Sequence, residues 1–121
     1  MFPEPRFVTA NGLEMAVYEQ GDGPAVIFLH GFPELAYSWR HQLPALASTG
    51  FRAIAPDLRG YGRTSVPPDV AAYRMSELIA DVEGLLDALE LERATFVGHD
   101  WGALILWSMA MLAPQRIERM V

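Results

Sequence analysis

Four short apolar runs, each stopped by glycine, proline or a polar cluster, alternate along the chain with segments of helical period. Phe7–Thr9 and Glu14–Glu19 flank Asn11-Gly12, a dipeptide that favours a tight turn, and predict an antiparallel hairpin. After the turn Gly21-Asp22-Gly23-Pro24 comes Ala25-Val26-Ile27-Phe28-Leu29, five apolar residues without alternation, as in a strand covered on both faces. A helix is expected from Ser38 to Ser48, kinked or divided by Pro44 and ended by Gly50. Arg52–Pro56 is the next strand, and the polar segment from Asp57 through Pro68 is expected to be a long loop. Ser76 is placed as the N-cap of a second helix, with Glu77 in its first turn. In that helix Leu78, Ile79, Val82, Leu85, Leu86 and Leu89 form one stripe, while Asp81, Glu83 and Asp87 are expected to face away. Ala94–Val97 is a fourth buried strand. Trp101–Ala113, apolar almost all round, is a helix buried on most sides and stopped by Pro114, and Ile117–Val121 begins a further element. The order β-α-β-loop-α-β-α after an N-terminal antiparallel hairpin predicts an α/β protein with a mostly parallel sheet and helices on both faces.

Composition narrows the function classes. The 121 residues suit one domain, residues 1–121, and 51% hydrophobic content supports a packed core. Fifteen acidic against nine basic residues, a formal charge of -6 and no basic run argue against nucleic acid and anionic membrane surfaces. The absence of cysteine rules out disulfides, thiolate metal sites and a cysteine nucleophile in this chain. No apolar stretch reaches the roughly 18–20 residues of a membrane span, and the N-terminus lacks the pattern of a signal peptide, so a cytoplasmic location is expected. The oligomeric state stays open.

The chemistry gathers at Gly98-His99-Asp100-Trp101-Gly102, between a buried strand and a buried helix. Ligands collect at the carboxyl ends of strands in open α/β sheets. Glycines on both sides of a residue forced through a sharp strand-to-helix turn are the mechanics of a nucleophile elbow, here with Asp100 in the position better known for serine. His30-Gly31-Phe32-Pro33 ends the long preceding strand, where a loop can turn the Phe32 N–H towards the elbow. With the Trp101 N–H it would form a two-donor oxyanion hole.

From the hairpin through HGFPE, YSWRHQLPALA, DLRGYGRTS and VGHDWGA to ERMV, the chain resembles the N-terminal part of the α/β-hydrolase family, in its epoxide hydrolase branch. That resemblance implies Asp100 as nucleophile, Phe32 and Trp101 as oxyanion N–H donors, and a cis bond before Pro33; Trp101 and Pro33 are candidate substrate-binding residues. It also implies no metal and no cofactor. Only 21 residues follow Asp100, so the acid, the histidine base and the lid are expected beyond Val121. These 121 residues alone are then expected to be inactive and prone to aggregate. One departure is Ala103, where the family often has glycine; it is still small.

A carboxylate is already ionised near neutrality and forms a useful ester only by attack on a saturated carbon bearing a leaving group. An epoxide, giving a diol, is the expected small-molecule substrate, and a haloalkane or haloacid is the alternative. Trp101 serves either reading. Phe32 favours the epoxide, because many of the similar haloalkane dehalogenases carry an asparagine halide donor there. A non-catalytic fragment or binding scaffold is the reading of another class. The remaining candidates have structural explanations: His30 a hydrogen bond in its loop, His41 an exposed helix face, His99 a side chain turned from the site, Asp57 its own turn, and Trp39 and Trp107 packing.

Overall fold

Asn11 and Gly12 turn the chain at φ 51° and 76°, positions that asparagine and glycine adopt most readily. The strands on either side, β1 (Arg6–Ala10) and β2 (Leu13–Gln20), pair antiparallel from Ala10 and Leu13 outward. In the computed structural model, which describes residues 2–121, this hairpin joins the edge of a sheet whose other members run parallel. Those members are β3 (Ala25–Leu29), β4 (Arg52–Pro56), β5 (Ala94–Gly98) and β6 (Ile117–Met120). The order is β1-β2-β4-β3-β5-β6, with β2 antiparallel to β4. The segment that the sequence left unfinished is thus a strand, and β5 has neighbours on both sides.

Strand alternation sorts the core into two layers. Ile27 and Leu29 of β3 point to one face, where α2 (Met75–Ala88) and α3 (Trp101–Leu112) pack through Val82, Leu85, Leu86, Ile105 and Met109. Val26 and Phe28 point to the other, covered by α1 (Gln42–Ala47) and a 3-10 turn at Ala36–Trp39 through Leu43 and Ala36. Leu85 and Leu86 are wholly buried, and such burial contributes about 1.5–3 kcal/mol per side chain.

Four local expectations need correction. The helix expected over Ser38–Ser48 is divided, and the break falls at Arg40–His41 rather than at Pro44. Pro44 lies in the first turn of α1, where a missing N–H has no helical acceptor to lose. The second helix begins one residue earlier than Ser76: Arg74, in extended geometry, occupies the capping position without a side-chain cap. Asp81 does not face away; it is buried, three residues after Leu78 and four before Leu85, and so on their stripe. Trp107 is not a packing residue but 64% exposed, on a helix whose buried residues are Gly102, Ile105, Leu106 and Met109. The loop after β4 also contains a 3-10 turn, Val70–Tyr73, capped by the Asp69 side chain.

Candidate active site

The parallel strands β3 and β5 end side by side, with Leu29 opposite Gly98, and this register brings the two glycine-bearing segments together. Asp100, between β5 and α3, has φ 57° and ψ −120°. A non-glycine residue held there costs on the order of 1–3 kcal/mol, and surrounding packing must enforce it. Glycines permit the enforcement. A Cβ on Gly102 would strike the Leu29 carbonyl, and one on Gly98 would lie 2.9 Å from Ala103 Cα. A Cβ on Gly31 would strike the Asp100 side chain itself.

The Asp100 carboxylate is exposed and accepts a 2.9 Å hydrogen bond at Oδ2 from the Phe32 N–H. That bond first, and then the Trp101 N–H, hold its pKa below the ordinary 3.8; partial desolvation opposes them, and His99 adds a smaller lowering. Asp100, Phe32 and Trp101 therefore meet at one point, although 68 residues separate the first two. The peptide between Phe32 and Pro33 is cis, and Pro33 is exposed beside the loop.

The loop that presents Phe32 is tied down by His30. Its buried ring accepts the Leu58 N–H at Nε2 (3.0 Å) and faces the Gly31 carbonyl from Nδ1 (3.0 Å). Together these contacts require the neutral tautomer with the proton on Nδ1. Burial is the main cause that pushes the His30 pKa down. Tyr61 packs its ring against His30, with centroids 5.0 Å apart. Glu34 spans the two motifs, accepting the Gly31 N–H at 3.2 Å and contacting His99 Nδ1 at 3.2 Å. His99 thus turns outward, and His41 is exposed at the start of α1.

Asp57, at the end of β4, accepts from the N–H groups of Ala36 and Arg63 and from the Tyr18 hydroxyl. It holds three segments together, a wider task than its own turn. Trp39 packs on Phe28 at a centroid distance of 4.9 Å. Among residues that the sequence did not single out, Arg59 makes a two-pronged contact with Asp81 at 2.8 and 2.9 Å, and Asn11 also donates to Asp81. The DLRGYG motif contained the arginine, but its partner is in a distant helix. Trp101 forms one wall of a cleft of about 250 Å³ whose other walls come from residues 58–61, Tyr73, α2 and α3. Among the described residues no cluster of three or more His, Asp or Glu side chains is arranged to hold a metal, and no helix is long and apolar enough to cross a membrane.

A family-wide sequence model described as alpha/beta hydrolase fold matches residues 24–121. Epoxide hydrolase 2 of Siraitia grosvenorii is 51% identical over 114 residues, which cover 94% of this chain and 36% of that protein. Epoxide hydrolase A of Mycobacterium tuberculosis is 51% identical over 117 residues, 95% of this chain and 36% of the relative. Among solved structures, an epoxide hydrolase from Vigna radiata superposes with a TM-score of 0.95 at 49% identity, covering 97% of this chain and 37% of the other. The chain spans little more than a third of the length of each of these relatives.

Proposed function

This chain belongs to the α/β-hydrolase family, and we propose on that premise that it carries the nucleophile of an epoxide hydrolase, the carboxylate of Asp100. The observation that carries the reading is the Phe32 N–H on Asp100 Oδ2 at 2.9 Å, at a residue strained to φ 57° between two glycines. Epoxide hydrolases at about half identity support the choice of substrate class.

In the first step a carboxylate oxygen of Asp100 attacks an epoxide carbon. The ring C–O bond breaks, its electron pair goes to the oxygen, and that oxygen takes a proton from an acid. The product is an alkyl ester of Asp100. A base then takes a proton from water as its oxygen adds to the ester carbonyl, and the Phe32 and Trp101 N–H groups stabilise the oxyanion of the tetrahedral intermediate. Collapse releases the diol and restores the carboxylate. His30 is committed at both ring nitrogens, His41 is exposed at α1, and His99 is turned to Glu34. The base is therefore assigned to a residue outside this chain's 121, within a protein as long as its relatives. A halide substrate is less well served, since Phe32 offers no side-chain donor to a departing halide.

The test is covalent. In the protein at its natural length, brief exposure to an epoxide is expected to add one epoxide mass to the peptide containing Asp100. Asp100→Ala should remove the adduct and lower diol formation by on the order of 10⁴–10⁶-fold. An adduct on another residue, or diol formation that survives the substitution, would sink the reading.

A further inference from the structure

Away from Asp100, the hairpin turn carries reactive chemistry of its own. Asn11, the one asparagine of the chain, is followed directly by Gly12. Both residues are exposed at the tip, and a Cβ on Gly12 would meet nothing within 4 Å. A glycine nitrogen bends back onto the preceding side chain with least obstruction, because glycine has no Cβ and turns freely. Among the described residues the Gly12 N–H has no hydrogen-bond acceptor, so no ladder holds that nitrogen in place.

The Asn11 amide, by contrast, is engaged. Its Nδ2 donates to Asp81 Oδ1 at 2.9 Å, to Glu77 Oε1 at 3.1 Å and to the Glu77 carbonyl at 3.4 Å. Gly84 lets the turn come this close to α2: a Cβ there would lie 2.9 Å from the Asn11 nitrogen. Asp81 and Glu77 already share one cation, Arg59, at 2.8 and 3.8 Å. The neutral amide therefore joins the hairpin tip to two carboxylates without adding charge. An acid in its place would lose the donors and set a third carboxylate against that single guanidinium.

We propose that Asn11 is a site of spontaneous deamidation, and that its conversion loosens the junction of hairpin, α2 and the loop after β4. The Gly12 nitrogen bonds to Asn11 Cγ, the Cγ–Nδ2 bond breaks, and ammonia leaves with the proton from the Gly12 nitrogen. Water then opens the cyclic imide. Attack at Cγ gives an aspartyl residue, and attack at the backbone carbonyl gives an isoaspartyl residue with one more carbon in the main chain. Either product replaces the amide donors with a carboxylate beside Asp81 and Glu77. The isoaspartyl form also lengthens a two-residue turn, which then no longer keeps Ala10 opposite Leu13. Because the amide is tied to α2, the reaction waits on local opening of the turn and is slower than in a free peptide.

The protein at its natural length is aged in mildly alkaline buffer beside the synthetic peptide Phe7–Met15. Residue 11 is followed by peptide mapping that separates the aspartyl and isoaspartyl forms. The protein should convert at a rate within about a hundredfold of the peptide's. Slower conversion would mean that the fold shields Asn11, and would overturn the site. The consequence is read in urea with two variants of the same protein. Asn11→Asp reproduces the aspartyl product, whereas Asn11→Gly keeps the turn and loses the donors without adding charge. Asn11→Asp should unfold at the lower urea midpoint, and added salt should narrow the gap between the two. Equal midpoints, or a gap that salt leaves unchanged, would overturn the loosening.

Discussion

At the scale of the residue, the site depends on atoms that are missing. Gly31 passes so close to Asp100 that a single methyl group would strike the carboxylate side chain. Gly31→Ala should displace either the Phe32 donor or the nucleophile, and displacements of about 1 Å can cost about 10²-fold in rate. A near-normal rate of Asp100 alkylation in this variant would show that the contact is not critical. The pKa of Asp100 lies below the ordinary 3.8, so its ionised form persists as pH falls through that value. The rate of Asp100 alkylation, in short pulses, should therefore fall to half only below pH 3.8, and a half-loss above 3.8 would contradict the donor geometry. His30 behaves oppositely with respect to charge. Its folded pKa is below the ordinary 6.5, so an unfolded chain takes up the proton first. Its contribution to stability is complete above pH 6.5 and is lost progressively as pH falls below it. Denaturant midpoints should drop with acidification across that window, and less steeply in His30→Gln. The elbow was legible in the sequence because glycine leaves a local signature of close approach. Glu34 and Tyr61 were not, because their partners are joined through space and neither residue has a spacing that announces it.

At the scale of the element, periodicity identified the strands and helices, but polarity misled where a charge had a hidden partner. Asp81 occupies the apolar stripe of α2, yet an aspartate there is normally assigned to the solvent side. Arg59 reaches it from the loop after β4, and the pair is buried on both sides, at 6% and 3% side-chain exposure. The contact fastens that loop, and with it Tyr61, to α2, while Asn11 brings in the hairpin turn. Asp81→Leu leaves the guanidinium buried without its partner and should cost about 3–5 kcal/mol in denaturant unfolding of the natural-length protein. A loss under about 1 kcal/mol would mean that water reaches Arg59 and that the pair acts as a surface one. Pro44 misled in the same way: its ring predicted a break, but the position of that break depended on where the helix could begin.

At the scale of the whole molecule, α3 joins the site to an exposed apolar face. Its inner stripe is buried, while Trp107, Met111 and Leu112 are 64%, 80% and 72% exposed. Apolar groups massed on one face mark surfaces that another part of a protein covers. The outer edge of β6 likewise offers backbone groups with no strand beside them among the described residues. The 121 residues expressed alone should therefore self-associate or bind a hydrophobic dye, as light scattering and dye fluorescence would report. A dispersed monomer would show that this face needs no cover. The parallel sheet with its antiparallel hairpin was legible from the order of elements, whereas the bare face of α3 was not, since an all-apolar helix carries no mark of which side meets the sheet.

The central claim is that Asp100 becomes an ester that water cleaves at its own carbonyl. One turnover in ¹⁸O-labelled water, with enzyme in excess over epoxide, tests it most directly. The account predicts the label in the carboxylate of the peptide containing Asp100 and none in the first diol released. Label in the diol, with Asp100 unlabelled, would mean that water opens the ring directly.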